Sequence, residues 1–248
     1  MSIENIKFDN YDIEKALCKD ETIWSGSDDK TGSPGPKRLI GGNMQAGFFG
    51  EVPTSELITG DELARRIGLT AGEGQFSNEP WLKFSYMGKT EFVAKKPFRH
   101  SISWNAINNV SAVFGSRTIK IGSQTYKVRL MKGKTEGKQS DSSSYGGVIN
   151  HGSEWNKLML PIHENAPSNW NSSYNNVKLP TENWNIGYTD NDLFTKGNMG
   201  NRSWCQEYGE NKNYRLIRGH NGTFYSSSSI PSNRGSAHGW RPVLELVE

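Results

Sequence analysis

Apolar and polar positions alternate with a period of two in two stretches of the chain, and this alternation predicts two β-hairpins. The first hairpin spans residues 81–95 and turns at 87–89. The second spans residues 117–131 around the loop Gly122-Ser123, and a glycine at the first position of a two-residue loop is typical of a type II′ turn. The two hairpins indicate an antiparallel sheet near the middle of the chain.

Short helices are predicted where a capping side chain precedes apolar positions spaced three or four apart. Thr59 and Glu62 form a capping box ahead of a helix over residues 61–67. Ser103 and Ser153 each precede a further short helix that carries a tryptophan. Together with the hairpins, these helices predict the α+β class.

The C-terminal segment, residues 242–247, has the pattern of a strand tied into a sheet, since frayed termini rarely carry apolar and β-branched residues. Pro242 cannot donate to a ladder and therefore belongs at the start or edge of this strand. The polar run at 225–239 predicts a surface loop, and the aperiodic stretch at 132–147 predicts a mobile loop.

Composition supports a compact β-containing protein with much irregular surface. Hydrophobic residues make up 33% and aromatic residues 11% of the chain, which argues against both a helical bundle and a disordered chain. The two cysteines, Cys18 and Cys205, lie far apart, which excludes a disulfide scaffold and a cysteine-based zinc site. No apolar run approaches the ~20 residues that span a bilayer.

Charge is distributed unevenly along the chain. Residues 1–82 carry a net charge of −6 and residues 139–248 a net charge of −1, whereas residues 83–138 carry +10. Such a block can steer association with acidic partners. Three explanations stay open: the solvated face of a strand bearing Lys127 and Arg129, an acidic patch on a neighbouring subunit, or an anionic ligand. The candidate basic patch consists of Lys83, Lys95, Lys96, Arg99, Lys120, Lys127 and Arg129.

Several short strings resemble the C-type-lectin-like fold, in the version shared by formylglycine-generating-enzyme-like domains and variable adhesins of phages and bacteria. They are Ser103-Trp104-Asn105, Ser153-Glu154-Trp155-Asn156, Ser203-Trp204-Cys205-Gln206-Glu207 and the closing Gly239-Trp240-Arg241-Pro242-Val243. The resemblance covers residues 75–248. It implies a small twisted antiparallel sheet, two or three short helices, long irregular loops that form the ligand face, and a final strand beside the first. Residues 1–74 would then be an extended N-terminal arm that attaches the domain.

The stretch from Trp81 to Trp104, followed by 126–130, is similar to segments of tailed-phage virion structural proteins. This resemblance implies a virion protein made in the host cytoplasm, and the N-terminus has no secretory signal pattern. The implied partners are other virion proteins, bound through residues 1–74 and the basic block, with several copies or a homo-oligomer on the particle. Membrane insertion is not expected.

Catalytic chemistry is not expected. The enzyme branch of the lectin-like fold uses a pair of cysteines, and residues 75–248 contain only Cys205, which we interpret as a small buried hydrophobe. The histidines lack helical metal-site spacing, and Asp190-Asn191-Asp192 is better explained by turn chemistry than by calcium binding. No cofactor or metal is therefore predicted. Carboxylate pairs for glycoside hydrolysis could be drawn from Glu154, Glu164, Glu182, Asp190 or Glu207, but the sequence does not fix their separation.

Aromatic residues set among amides and hydroxyls between residues 164 and 240 are typical of recognition loops. The candidate ligand-binding residues are Trp170, Tyr174, Trp184, Tyr188, Asn233, Arg234 and His238, with core packing as the alternative for the aromatic ones. Trp155, Trp204 and Trp240 are predicted to lie in the core.

These observations predict a non-enzymatic virion component of the tail, baseplate, collar or fibre that displays a lectin-like surface for a host receptor or glycan. The alternative is a structural decoration or connector protein that cements neighbouring virion proteins. A glycan-cleaving enzyme is a third hypothesis. Nucleic-acid binding is disfavoured, because the basic block lacks a recognised reader motif.

Overall fold

The computed structural model describes residues 15–18, 21–25, 28–133, 153–164, 183–194, 199–209, 212–219, 222–223 and 225–247. Within these ranges the protein is dominated by antiparallel β-sheet with four short helices, which confirms the α+β class. The helices are α1 Gly60–Ile67, α2 Trp104–Asn109, α3 Glu154–Leu158 and α4 Asp190–Leu193. The strands are β1 Lys15–Cys18, β2 Glu21–Ser25, β3 Gly41–Asn43, β4 Ala46–Val52, β5 Glu73–Gly74, β6 Trp81–Tyr86, β7 Lys89–Ala94, β8 Arg99–His100, β9 Phe114–Ile121, β10 Gln124–Arg129, β11 Arg202–Tyr208, β12 Arg215–Arg218, β13 Ser226–Ser229, β14 His238–Gly239 and β15 Val243–Leu246.

The main sheet has seven strands in the order β3-β4-β6-β7-β15-β10-β9, and every neighbouring pair is antiparallel. The C-terminal strand β15 lies in its interior, where Leu244 pairs with Phe92 of β7 and Val128 of β10. This position explains why the chain carries apolar residues so close to its end. The expected return of the last strand beside the first is wrong, because β15 pairs with β7 and β10. The sheet is also larger than expected.

Residues 28–74 belong to the same fold as the described residues that follow them. Strands β3 and β4 form one side of the seven-stranded sheet, and Val52, Leu63 and Ile67 lie in one hydrophobic cluster with Trp81 and Leu244. The boundary between an N-terminal arm and a domain at residue 74 is therefore wrong for residues 28–74. Strands β1 and β2 form a separate two-stranded sheet.

The local elements follow the predicted caps and turns. The hydroxyl oxygen of Thr59 accepts a hydrogen bond from the Glu62 backbone N–H, and Gly68 ends α1 with φ 77°. Ser103 and Ser153 cap α2 and α3 in the same way. Gly122 has φ 58°, as the first position of a type II′ turn requires. Asp190 to Asp192, expected as a turn, begin α4 with a capping box between Thr189 and Asp192.

A second sheet of four strands, in the order β13-β12-β11-β14, is joined to the main sheet through the residues before β15. Arg241, which is almost fully buried, donates hydrogen bonds to the carbonyl oxygens of Ala94 at 3.2 Å and Lys95 at 2.8 Å, and to the Ser203 hydroxyl at 3.2 Å. Trp155, Trp204 and Trp240 are buried, which confirms their predicted place in the core. None of the helices in the described parts of the chain has the length and apolar character to cross a bilayer.

Candidate binding surface

Four side chains from four different elements form a continuous stack at the surface. The Arg215 guanidinium carbon lies 4.3 Å from the ring centre of Trp104 and 4.1 Å from that of Tyr208. Phe114 packs edge-on against Trp104, with ring centres 5.9 Å apart. Phe114, Trp104, Arg215 and Tyr208 are called the aromatic–arginine stack below.

Backbone and indole hydrogen bonds hold the stack in place. Trp104, capped into α2 by Ser103, donates its indole N–H to the Cys205 carbonyl of β11 at 3.0 Å. Tyr208 and Arg215 are cross-strand partners in β11 and β12, so their side chains lie side by side. The Arg215 Nη1 group also donates to the carbonyls of Lys212 and Tyr214.

One ring of the stack is buried and two are exposed. Trp104 is 5% exposed, whereas Phe114 is 60% and Tyr208 51% exposed. Large exposed aromatic rings beside an ordered guanidinium are unusual on a surface that binds nothing, because such rings are enriched where proteins recognise ligands or partners. The stack is therefore the strongest candidate binding surface in the described residues.

The turn at residues 230–236 borders the stack and carries two of the predicted ligand residues. Ser229 pairs with Arg215 across β12 and β13, and the Asn233 side-chain amide donates to the Ser229 hydroxyl at 3.0 Å. The Asn105 N–H of α2 donates to the Pro231 carbonyl at 3.0 Å. Asn233 thus positions this turn, and Arg234 is exposed beside it.

His238 is not available for direct ligand contact. Its side chain is buried and stacks on the Trp204 ring, with ring centres 4.8 Å apart. The prediction that His238 lines an exposed binding loop is therefore wrong, because β14 carries it into the core beside β11.

Trp184 and Tyr188 lie on a different part of the molecule, over the β3–β4 side of the main sheet. Trp184 packs closely over Gly41, where a Cβ atom would clash with it. The Tyr188 hydroxyl donates to Glu51 at 2.6 Å, and its ring lies under the Lys95 ammonium at 4.8 Å. Both side chains are half-buried, pack over this side of the sheet and are not part of the aromatic–arginine stack. Trp170 and Tyr174 lie outside the described residues.

Two members of the predicted basic patch are buried ion-pair partners. The Lys83 ammonium contacts Asp29 at 2.6 Å, and both side chains are fully buried. Arg129 is buried among three carboxylates, contacting Glu91 and lying 2.9 Å from both Glu154 and Glu245. Placing Lys83 and Arg129 on an exposed patch was wrong, and so was the solvated-face explanation for Arg129.

Most of the remaining residues of the predicted basic patch form individual ion pairs. Lys95 contacts Glu51 at 2.6 Å, Lys96 lies 3.5 Å from Glu79, and Lys127 lies 3.7 Å from Glu245. Arg99 donates to the carbonyls of Ala71 and Gly72, and Lys120 is exposed. Most of the described basic residues in the +10 block therefore form ion pairs within the protein.

Three of the five carboxylates proposed for a hydrolase make structural contacts in the described residues. Glu154 is fully buried against Arg129, and its Oε2 accepts from the Lys132 N–H at 2.8 Å. Burial raises the pKa of Glu207 to about 7, although the Gly133 N–H donates to it at 3.0 Å. Asp190 lies 3.2 Å from His163 and accepts hydrogen bonds from the Thr223 N–H and hydroxyl. Glu164 is exposed, and Glu182 lies outside the described residues.

Thiol and metal chemistry find no support in the described ranges. Cys205 is fully buried, which confirms its predicted role as a small buried hydrophobe, and burial raises the pKa of its thiol. Across the described residues, no cluster of three or more His, Cys, Asp or Glu side chains could hold a metal ion.

Sequence reasoning missed Phe114, Tyr208 and Arg215 as site residues. The sequence does contain a pattern that could have pointed to Tyr208: Tyr208 and Tyr214 flank a polar turn, which is typical of a hairpin with aromatic residues beside its turn. No local pattern predicted that Trp104 and Phe114 would join this surface, because both lie about 100 residues before Tyr208 in the sequence.

No family model, curated protein or solved structure matches this chain.

Proposed function

We propose that this protein is a non-enzymatic binding protein that holds glycans on the aromatic–arginine stack. The observation that carries the proposal is the arrangement of the stack: Arg215 contacts the rings of both Trp104 and Tyr208, while Tyr208 and Phe114 expose half or more of their area. Aromatic faces carry negative charge density, which attracts the polarised C–H groups of sugar rings.

The stack is suited to such binding because its rings are already ordered. Immobilising a flexible side chain at an interface costs about 0.5–1.5 kcal/mol, and stacking against Arg215 reduces this cost for Tyr208 before a ligand arrives. One ring pair gives modest affinity, and several copies on one assembly would multiply it through effective concentration.

The assembly we propose is a tailed-phage particle, with the host-surface glycan or receptor as target and a C-type-lectin-like ancestry for the fold. Support comes from the resemblances of residues 81–104, of 126–130 and of the closing Gly239-Trp240-Arg241-Pro242 string. The sheet-dominant α+β architecture is compatible with this ancestry.

A glycan array with the intact protein tests the proposal. Tyr208→Ala and Phe114→Ala should each lower the signal for every bound glycan by about tenfold, since each removes a ring worth roughly 1–2 kcal/mol. Phe76→Ala is the matched control, because Phe76 is an exposed aromatic residue outside the stack. Unchanged binding in both stack variants, with folding verified by circular dichroism, would contradict the proposal.

A connector role between virion proteins is the second candidate. Tryptophan, tyrosine and arginine are the residues that dominate protein–protein hot spots, and β9 leaves one edge of the main sheet unpaired within the described residues. In this case Tyr208→Ala would reduce incorporation into particles while the array shows no glycan binding by the wild-type protein.

A further inference from the structure

We propose that Arg215 makes the aromatic–arginine stack selective for anionic glycans, whose carboxylate, sulfate or phosphate group it binds while a neighbouring sugar ring rests on Tyr208 or Phe114. This inference rests on the proposed glycan-binding function and names its ligand class.

The hydrogen-bonding state of Arg215 is the first argument. Its Nη1 group donates to the carbonyls of Lys212 at 3.1 Å and Tyr214 at 3.4 Å. Within the described residues, no acceptor bonds to its Nε or Nη2 group. The Trp104 and Tyr208 ring centres lie 4.3 Å and 4.1 Å from the guanidinium carbon, and the Nε and Nη2 edge stays open to an incoming acceptor. An in-plane approach to neighbouring N–H groups is the geometry of bidentate carboxylate, sulfate and phosphate binding.

The charge balance around Arg215 is the second argument. Among the described residues, Arg65, Arg66, Arg99 and Arg129 each lie within 4.0 Å of a carboxylate, whereas Arg215, like Arg117 and Arg241, has no described carboxylate within that distance. The nearby cations Lys212 and Arg234 are exposed and also lack a described ion-pair partner. A half-buried guanidinium that has unbonded N–H groups and no counter-ion among the described residues favours an external anion over a neutral ligand.

The position of Arg215 inside the stack is the third argument. The guanidinium carbon lies 4.1 Å from the Tyr208 ring centre, so an anionic group bound to Arg215 lies close to that ring. A saccharide that carries its anion on the ring or on the exocyclic carbon can satisfy both contacts at once. A neutral saccharide satisfies only the stacking contact.

The test compares acidic polysaccharides with their neutralised forms. The pairs are polygalacturonate and its methyl ester, heparin and desulfated N-acetylated heparin, and phosphomannan and dephosphorylated mannan, which distinguish the carboxylate, sulfate and phosphate sources. The wild-type protein should bind at least one acidic member about tenfold or more tightly than its neutral partner, as expected for charge-assisted hydrogen bonds. This preference should weaken as salt rises.

Variants distinguish binding by the planar guanidinium of Arg215 from attraction by general positive charge. Arg215→Gln should reduce the acidic preference to within about twofold, and Arg215→Lys should retain only part of it, because an ammonium lacks the planar fork. Lys212→Gln removes a neighbouring exposed charge and should keep most of the preference. If Arg215→Gln fails to fold, Arg215→Lys supplies the comparison.

The outcomes distinguish this inference from the proposed function. Equal binding of acidic and neutral members, lost in Tyr208→Ala, would overturn the anion selectivity and leave the glycan surface intact. An acidic preference that persists in folded Arg215→Gln and Arg215→Lys would also overturn it. Absence of binding to every member by the wild-type protein would overturn both.

Discussion

Substitution of Asp29 by alanine probes how strongly the segment at residues 28–38 is held against the main sheet. Asp29 contacts the Lys83 ammonium at 2.6 Å, and Lys83 also donates to the carbonyls of Pro34 at 2.9 Å and Pro36 at 2.7 Å. Because both charged side chains are fully buried, Asp29→Ala leaves an ammonium without its counter-ion in the sheet. Removing one partner of a buried pair destabilises a protein by about 3–5 kcal/mol.

The measurement is urea unfolding at pH 7 followed by tryptophan fluorescence, with thermal unfolding as a second readout. A loss of about 3–5 kcal/mol corresponds to a decrease in Tm of roughly 6–20 °C for a chain of this size. Lys37→Met is the matched control, because Lys37 lies 3.4 Å from the same carboxylate while its side chain is 48% exposed. That variant should lose at most about 1 kcal/mol.

The pH dependence of stability is an independent test of the Asp29–Lys83 ion pair. Burial opposes ionisation of Asp29, but hydrogen bonds from Lys83, Ser33 and Thr31 outweigh it and hold its pKa well below the ordinary value of 3.8. A depressed pKa in the folded state stabilises the protein above the unfolded pKa, and this stability is lost as the pH falls. Wild-type stability should therefore fall more steeply below pH ~4 than that of Asp29→Ala. The reasoning is refuted if Asp29→Ala unfolds like Lys37→Met at pH 7.

Three further predictions follow from other buried or half-buried contacts. Burial raises the pKa of Glu207 from 4.5 to about 7, so wild-type stability should decrease by about 2–3 kcal/mol between these pH values, whereas Glu207→Gln should show no such decrease in urea unfolding. Arg129→Met leaves three carboxylates without their shared cation and should lower the free energy of unfolding by about 3–5 kcal/mol. The control Lys127→Met, at a more exposed ion pair, should lower it by less than about 1 kcal/mol, and equal losses in urea unfolding would contradict the buried network. Tyr188→Phe removes the hydrogen bond to Glu51 and should lower the free energy of unfolding by about 1 kcal/mol, and no change by calorimetry would indicate that water replaces it.

Local structure was largely predictable because its causes lie within a few residues. The helix at 61–67, the hairpin turn at Gly122 and the capping serines Ser103 and Ser153 follow from side chains next to the backbone groups that they satisfy. Burial of Trp155 was also predictable, since it lies on the apolar face of a capped helix.

The burial of charged residues was not predictable in the same way. Lys83 lies in an alternating strand pattern that usually places a lysine in solvent, yet all six residues of β6 are buried. The reason is a second layer over that face: the segment that carries Asp29 comes from 54 residues earlier in the chain. Arg129 is buried for a similar reason, since its partner Glu245 lies 116 residues away.

The sequence by itself determined the short helices, the hairpins, the closing strand and the α+β class, because period, caps and turn residues act over a few positions. Tertiary structure alone decided that β15 lies inside the seven-stranded sheet, that residues 28–74 belong to it, and that Phe114, Trp104, Arg215 and Tyr208 meet in one stack. Trp104 and the Cys205 carbonyl that anchors it are 101 residues apart. Contacts over such separations depend on which surfaces pack best in three dimensions, and no local pattern along the chain records that choice.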